Sequence, residues 1–266
     1  MSEPATVKSL TRDLRRLGLS ERDGVWVHAS MRSIRPVTGG AASVIEALIA
    51  TVGRDGLVAM PGFSEDAYFP PDVDRATLSK DEIARIERQV TGFDPDRSPT
   101  AGMGIIAETF RTWPGTCRSG HMAASVCANG PDAAQIITPH AQPWATGPGS
   151  PFDRMGQRPG MKILLIGVGW NRCTPLHTAE DFAPCKRTKM RRFKSGPGNA
   201  LWIETPDVAD DLGRLFPRAG AAFEATGHVR IGRLGAAEVR LCGYADLISF
   251  ASPWISAQNK ASGDRH

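Results

Sequence analysis

The tract Cys173-Thr174-Pro175-Leu176-His177-Thr178-Ala179-Glu180 carries the residue types that acyl transfer needs. On a helix, Thr174, His177 and Glu180 recur at i, i+3 and i+6 and share one broad face. An imidazole titrates near neutrality and can take a proton from an amine as that amine attacks an acyl group. A carboxylate three residues on would fix the ring's tautomer and stabilise the imidazolium, which is triad logic without a protein nucleophile. Spacing alone leaves other readings open. A His and a Glu at i, i+3 also describe an ordinary solvated helix face. The same pair could give two ligands of a metal site whose third came from His121 or Asp181. Cys173 could act as a nucleophile with His177 at i+4, although a buried, inert thiol is the commoner case.

The elements around this tract argue for an active position. Met161 to Val168 is the most apolar stretch of the chain and reads as a central strand just upstream. Ligands of open α/β sheets bind beyond the carboxyl ends of such strands. Two more segments sit at strand ends: His28-Ala29-Ser30-Met31-Arg32-Ser33 after a strand over 24–29, and Met60-Pro61-Gly62-Phe63-Ser64 after one over 57–60. With a helix over 41–51 between them, these strands form a βαβ unit, which predicts a parallel or mixed sheet. The loop Ser30 to Ser33 has hydroxyls and backbone N–H groups suited to phosphate or amide groups, and a plain turn fits equally well. Arg118-Ser119-Gly120-His121 is open in the same way, between ligand contact and local capping. Further helices are expected over 6–17, 79–90, 104–112, 131–137, 174–182, 207–225 and 244–254. Strands are expected over 126–128 and 200–205, with a hairpin over 229–242 and a loop over 140–152.

With 266 residues, 41% hydrophobic and 23% charged, the chain has the composition of a globular protein large enough for one full α/β domain. That domain is expected over 1–258, with a lid-like acidic insertion at about 63–99 and a disordered tail at 259–266. The opening residues lack the basic-then-apolar layout of a signal peptide, and no apolar run approaches the roughly 20 residues of a membrane span, so the expected location is the cytoplasm. Five cysteines without a CxxC pair suggest neither a disulfide framework nor a zinc knuckle. The formal charge of +4 suits an anionic cofactor and is too weak to argue for nucleic acid. Acids cluster between Glu65 and Asp96, bases between Lys186 and Lys194, a split that suits one cationic and one anionic ligand. The basic tract itself reads as a solvated loop.

Several tracts, in order and spacing, resemble the antibiotic N-acetyltransferases that act on the 3-amino group of aminoglycosides. They are His28 to Ser33, Gly39-Gly40, Val44 to Leu48, Met60-Pro61, Phe93-Asp94-Pro95, Met103-Gly104-Ile105-Ile106, Pro114 to His121, Gly149-Ser150-Pro151-Phe152, Leu164 to Val168 and Thr174 to Glu180. The resemblance implies a three-layer α/β/α fold around a mixed, largely parallel sheet, distinct from the GNAT acetyltransferases. It implies acetyl-CoA as co-substrate, with no metal, no nucleic acid and no membrane partner, in a monomer or homodimer. By the same match His177 is the general base, Glu180 its partner, and Thr174 sits at the reacting thioester. Ser30, Met31, Arg32 and Ser33 match the cofactor loop, with Met103, Gly104, Ser119 and His121 along the same channel. Glu65, Asp66 and Asp181 are the acids expected to hold the drug's other ammonium groups. The alternatives are another amine as acceptor in the same fold, or a covalent acyl-enzyme at Cys173.

Overall fold

The computed structural model describes residues 3–70, 73–196 and 201–263. The chain runs α1 (Val7–Leu17), β1 (Gly24–Ala29), α2 (Met31–Ile34), α3 (Gly40–Val52), β2 (Leu57–Pro61), α4 (Lys80–Gln89), α5 (Ile105–Arg111), β3 (Cys117–Arg118) and β4 (Val126–Asn129). It continues with α6 (Ala133–Ile137), α7 (Pro151–Gln157), β5 (Met161–Ile166), α8 (Pro175–Asp181), β6 (Thr188–Lys194), β7 (Trp202–Val208), α9 (Phe216–Glu224), β8 (Arg230–Leu234), β9 (Ala237–Gly243) and α10 (Tyr244–Ala261).

Seven strands form one sheet in the order β3-β4-β2-β1-β5-β9-β8. At its centre β1 pairs in parallel with both β2 and β5, and the strands outside these three pair antiparallel. The two-residue turn Gly235-Ala236 makes β8 and β9 a hairpin, so they can only be antiparallel. Alternation along each strand builds the layers. Val25, Val27, Val58, Met60, Leu164 and Ile166 pack on one side with α1, α3 and α5. Trp26, Leu57, Ala59, Ile163 and Leu165 pack on the other against the helices from α6 to α10. This is the three-layer α/β arrangement, and burial on both faces explains why β5 is almost wholly apolar.

β6 and β7 stand apart as a two-stranded antiparallel ribbon. The basic tract expected as a solvated loop is therefore a strand, because its cations have carboxylate partners. Arg192 lies 2.6 Å from Glu87 of α4 and 3.1 Å from Glu204 of β7. The acidic and basic tracts meet here instead of serving separate ligands. The 63–99 segment is stitched to β6 through Phe69 N to Arg192 O and Phe93 N to Lys194 O, each 3.0 Å. Its base is pinned by Arg118, which donates to Gly62 O, to Ser98 O at 2.5 Å and to Ser64 Oγ at 2.8 Å.

Four boundaries differ from the sequence expectation. Ser30 to Ser33 is the start of a one-turn helix, not a loop. α7 begins at Pro151, inside the expected 140–152 loop, and α9 begins at Phe216 instead of 207. The last helix runs on through Pro253 to Ala261, so residues 259–261 are not tail; Asn259 is fully buried and donates to Cys185 O at 3.0 Å. Residues 264–266 of the expected tail lie outside the described residues. Among the described residues no helix is long and apolar enough to cross a membrane.

Candidate active site

Two carboxyl ends of the sheet come together at one hydrogen-bonded ring. His28, near the end of β1, accepts at Nε2 from Trp26 Nε1 at 2.8 Å and from the backbone N–H of Thr174 at 3.2 Å. Both donors point at the same nitrogen, so that nitrogen is unprotonated and the ring neutral. Burial, with the Arg172 charge adding to it, lowers the His28 pKa to about 3. This contact ties the Ser30–Ser33 turn to the start of α8. Ser33 Oγ lies 3.0 Å from Ser30 Oγ and 3.1 Å from Gly167 O at the end of β5. Gly167 has φ +62°, and a Cβ there would fall 2.2 Å from that of Ser33, so only glycine allows the two strand ends this close.

α8 starts with Pro175 at its first position and buries Leu176 and Ala179 in the core, which turns His177 to the opposite side. The His177 ring packs edge-on against Phe216 with centroids 4.6 Å apart. Its Nδ1 is buried without a hydrogen-bond partner and faces Glu180 Oε2 at 3.8 Å. Nε2 is thereby the nitrogen available to the cleft. Glu180 is fully buried and clamped by Arg187, whose Nε and Nη2 lie 3.0 and 3.3 Å from its two oxygens. Arg187 also reaches Asp211 at 3.7 Å. Asp211 in turn accepts from Leu215 N at 2.8 Å and Phe216 N at 3.1 Å, fixing the start of α9 and the ring against His177. The base, its carboxylate and its aromatic wall form one frame centred on Arg187. Arg187→Met strands a buried carboxylate without its cation, at a cost of about 3–5 kcal/mol. A thermal melt that left the midpoint unchanged would refute the clamp.

His177 and Thr174 line a cleft of about 370 Å³. Its far wall is β6 with Lys189 and Arg191, its floor Ala145 and Thr146, and its rim Phe63, Phe69 and Asp74 from the 63–99 segment. The acids on it are Asp74, Asp207 and Asp210. Asp207 is 2.7 Å from Arg191, and Asp210 is 2.8 Å from Arg191 and 2.5 Å from Lys189. Burial works against the Asp210 charge, but the Arg191 and Lys189 cations outweigh it and hold the carboxyl below its ordinary range. Asp74 uses one oxygen to cap Ala76 N at 2.9 Å and has no ion pair among the described residues.

The structure brings Thr174, His177 and Glu180 together and seats Ser30 to Ser33 beside them through His28. Asp181 lies behind the cleft wall, bonded to Thr146 at 2.6 Å with Lys186 at 3.5 Å; burial foremost raises its pKa. Glu65 is exposed on a 3-10 turn with its carboxylate against Gly102, away from the cleft lining, and the side chain of Asp66 lies outside the described residues. Met103 is half-buried and Gly104 exposed at the start of α5, also outside that lining. Ser119 and His121 are buried with their polar atoms engaged. Ser119 Oγ accepts from Val126 N at 2.8 Å and donates to His140 Nδ1 at 2.8 Å. His121 Nδ1 accepts from Ala123 and Ala124 N at 3.1 and 2.9 Å, and its Nε2–H donates to Gln142 O at 2.9 Å. Neither is among the cleft-lining residues. Cys173 is buried in the core, and burial pushes its thiol well above the ordinary range, which disfavours it as a nucleophile. Among the described residues no three His, Cys, Asp or Glu side chains group as metal ligands.

Sequence reasoning missed Asp211 and Phe216, the roles of His28 and Arg187, and the cleft acids Asp207 and Asp210. Asp74 fell within the acidic cluster at 65–96 and Arg187 within the basic one at 186–194 without being singled out, and Asp207 to Asp211 holds three acids just after an expected strand.

The family model described as aminoglycoside 3-N-acetyltransferase matches residues 26–256. The SPbeta prophage-derived aminoglycoside N(3')-acetyltransferase-like protein YokD of Bacillus subtilis is 32% identical over 95% of this chain and 93% of its own. Its crystal structure superposes with a TM-score of 0.89 at 31% identity, covering 98% of this chain and 96% of that one. AAC-IIIb in binary complex with CoASH gives a TM-score of 0.84 at 31% identity, over 96% and 98% of the two chains. Sisomicin-bound AAC-VIa gives 0.85 at 31% identity, over 96% and 99%.

Proposed function

Because the chain belongs to the antibiotic N-acetyltransferase family, we propose that it transfers the acetyl group of acetyl-CoA directly to the 3-amino group of an aminoglycoside bound in the His177 cleft. The observation that carries this reading is the His177–Glu180–Arg187 arrangement opening on that cleft. His177 Nε2 takes a proton from the acceptor amine as its nitrogen attacks the thioester carbonyl. The tetrahedral intermediate collapses, the C–S bond breaks, and the imidazolium returns the proton to the departing thiolate. Glu180 stabilises the imidazolium and keeps Nδ1 protonated, a role that needs its 3.8 Å gap to close in the loaded enzyme.

The backbone N–H of Ser30 is donated to Ile166 O at 2.9 Å, and that of Thr174 to His28. The family resemblance puts Thr174 at the thioester, and its hydroxyl or the groups of the Ser30 turn supply the oxyanion donor. The co-substrate would run past Ser30, Met31 and Ser33, with the exposed Arg32 guanidinium available to its phosphates. Met103 and Gly104 are carried as cofactor contacts on the family resemblance alone. AAC-IIIb binding CoASH and AAC-VIa binding sisomicin support both ligand classes.

The test is thiol release from acetyl-CoA with a panel of aminoglycosides, followed by mass and NMR analysis of the product. Drug-dependent release with acetylation at the 3-amino group is the expected result. Release that is independent of the drug, or acetylation at another position, would overturn it.

A further inference from the structure

We infer that Lys189 is a specificity-determining residue of the acceptor cleft: its ammonium occupies the Asp210 carboxylate in place of a substrate ammonium and so disfavours acceptors of high positive charge. The inference rests on the proposed N-acetyltransferase reading and concerns which amines that site takes. Of the three acids on the cleft, two are already matched by cations of the protein's own strand β6. Asp207 and Asp210 give two negative charges, and Lys189 and Arg191 give two positive ones. The quartet is neutral and offers a polycation no net attraction.

The two cations are not equivalent. Arg191 is nearly buried, bonds both acids and also donates to Val208 O at 2.8 Å, so it belongs to the ribbon's framework. Lys189 and Asp210 are each 27% exposed in their side chains and meet at the cleft surface. Lysine is a point charge on a flexible stem with no planar fork to hold it there, so it is the partner that a substrate ammonium can displace. An acceptor with many ammonium groups must push Lys189 away and leave it nearby as a like charge. An acceptor with few has no need of Asp210. Removing the Lys189 charge changes the quartet from neutral to −1 and uncovers one carboxylate oxygen in the cleft, while Arg191 still holds the other.

The experiment compares wild type with Lys189→Met, which keeps the stem length, and with Lys189→Arg, which keeps the charge. Dissociation constants for aminoglycosides carrying two, four and six ammonium groups are measured by calorimetry, and KM and kcat for the same set by thiol release. Lys189→Met is expected to tighten the six-ammonium acceptor by about five- to tenfold and the two-ammonium acceptor by less than about twofold. The difference should shrink as salt is raised, and Lys189→Arg should keep the wild-type order. Equal changes across the series, or weaker binding of the polycation to Lys189→Met, would overturn the assignment. Because binding is read without turnover, an absence of acetyl transfer from every acceptor would count against the enzymatic reading and leave the Lys189 result to stand or fall by itself.

Discussion

Replacing His177 with alanine lowers the rate constant for acetyl transfer by about 10²–10⁴-fold, the range that a positioned general base contributes, while acetyl-CoA binding stays within about twofold. The ring is the only imidazole among the described cleft-lining residues. It offers Nε2 to the cleft because Nδ1 is buried toward Glu180. The elements proposed for the cofactor, at the ends of β1 and β5, are held by hydrogen bonds of His28, Ser33 and Gly167 that do not involve His177, so binding and chemistry are expected to separate. Stability should change little, since the ring's Nδ1 makes no hydrogen bond and its packing against Phe216 is an edge contact. The measurement is kcat from thiol release beside a dissociation constant for acetyl-CoA. Wild-type turnover in the alanine variant would end the general-base assignment, and a large loss of acetyl-CoA affinity would move His177 from base to binding residue. Glu180→Gln gives a graded comparison: it keeps the shape of the clamp, removes the charge that steadies the imidazolium, and should fall between wild type and His177→Ala.

How much of this site was legible depended on whether its partners were local. α8 and the strands β1, β2 and β5 announce themselves, because burial on both faces demands runs such as Leu57 to Met60 and Met161 to Ile166. His177 and Glu180 lie three apart on one helix, so their relation needs no tertiary information. β6 is different. Thr188 to Lys194 holds mostly cations, and the acids that let it be a strand are Glu87, Glu204, Asp207 and Asp210, on α4 and beyond the turn. No local pattern encodes that match, and the tract reads as a solvated loop until the partners are placed. His28 has the same character: it alternates with Trp26 like any strand residue, and its meaning comes from Thr174, far along the chain. Ser119 and His121 are open in sequence between ligand contact and local capping, and only the family resemblance puts them along the cofactor channel. In the fold their side chains bond to Val126, His140 and Gln142, partners that no local pattern announces.

Three of these histidines make the fold acid-labile, with a midpoint temperature that drops steeply below about pH 6. His28, His121 and His140 are held neutral, with pKa values lowered to about 3, 4 and 3, in each case first by burial. Geometry gives the same answer. In His28 and His121 one nitrogen accepts from fixed N–H donors, Trp26 and Thr174 for the first and Ala123 and Ala124 for the second, so protonation turns an acceptor into a donor facing another donor. His140 faces the Ser119 hydroxyl at Nδ1, and burial, with the neighbouring His121 adding to it, keeps that ring neutral. In the unfolded chain the same rings take protons near pH 6.5. Their folded values lie below that, so the unfolded state binds more protons and stability rises with pH. The stabilisation is complete above about pH 6.5 and is lost progressively as pH falls toward the folded values. At pH 5 the difference approaches three protons, or about 4 kcal/mol per pH unit. Chemical denaturation at stepped pH reads the slope directly. His140→Gln removes one ring and should cut that slope by about a third, whatever it does to absolute stability. A slope that is flat between pH 6.5 and 5, or unchanged in the variant, would show that these rings are protonated in the folded protein.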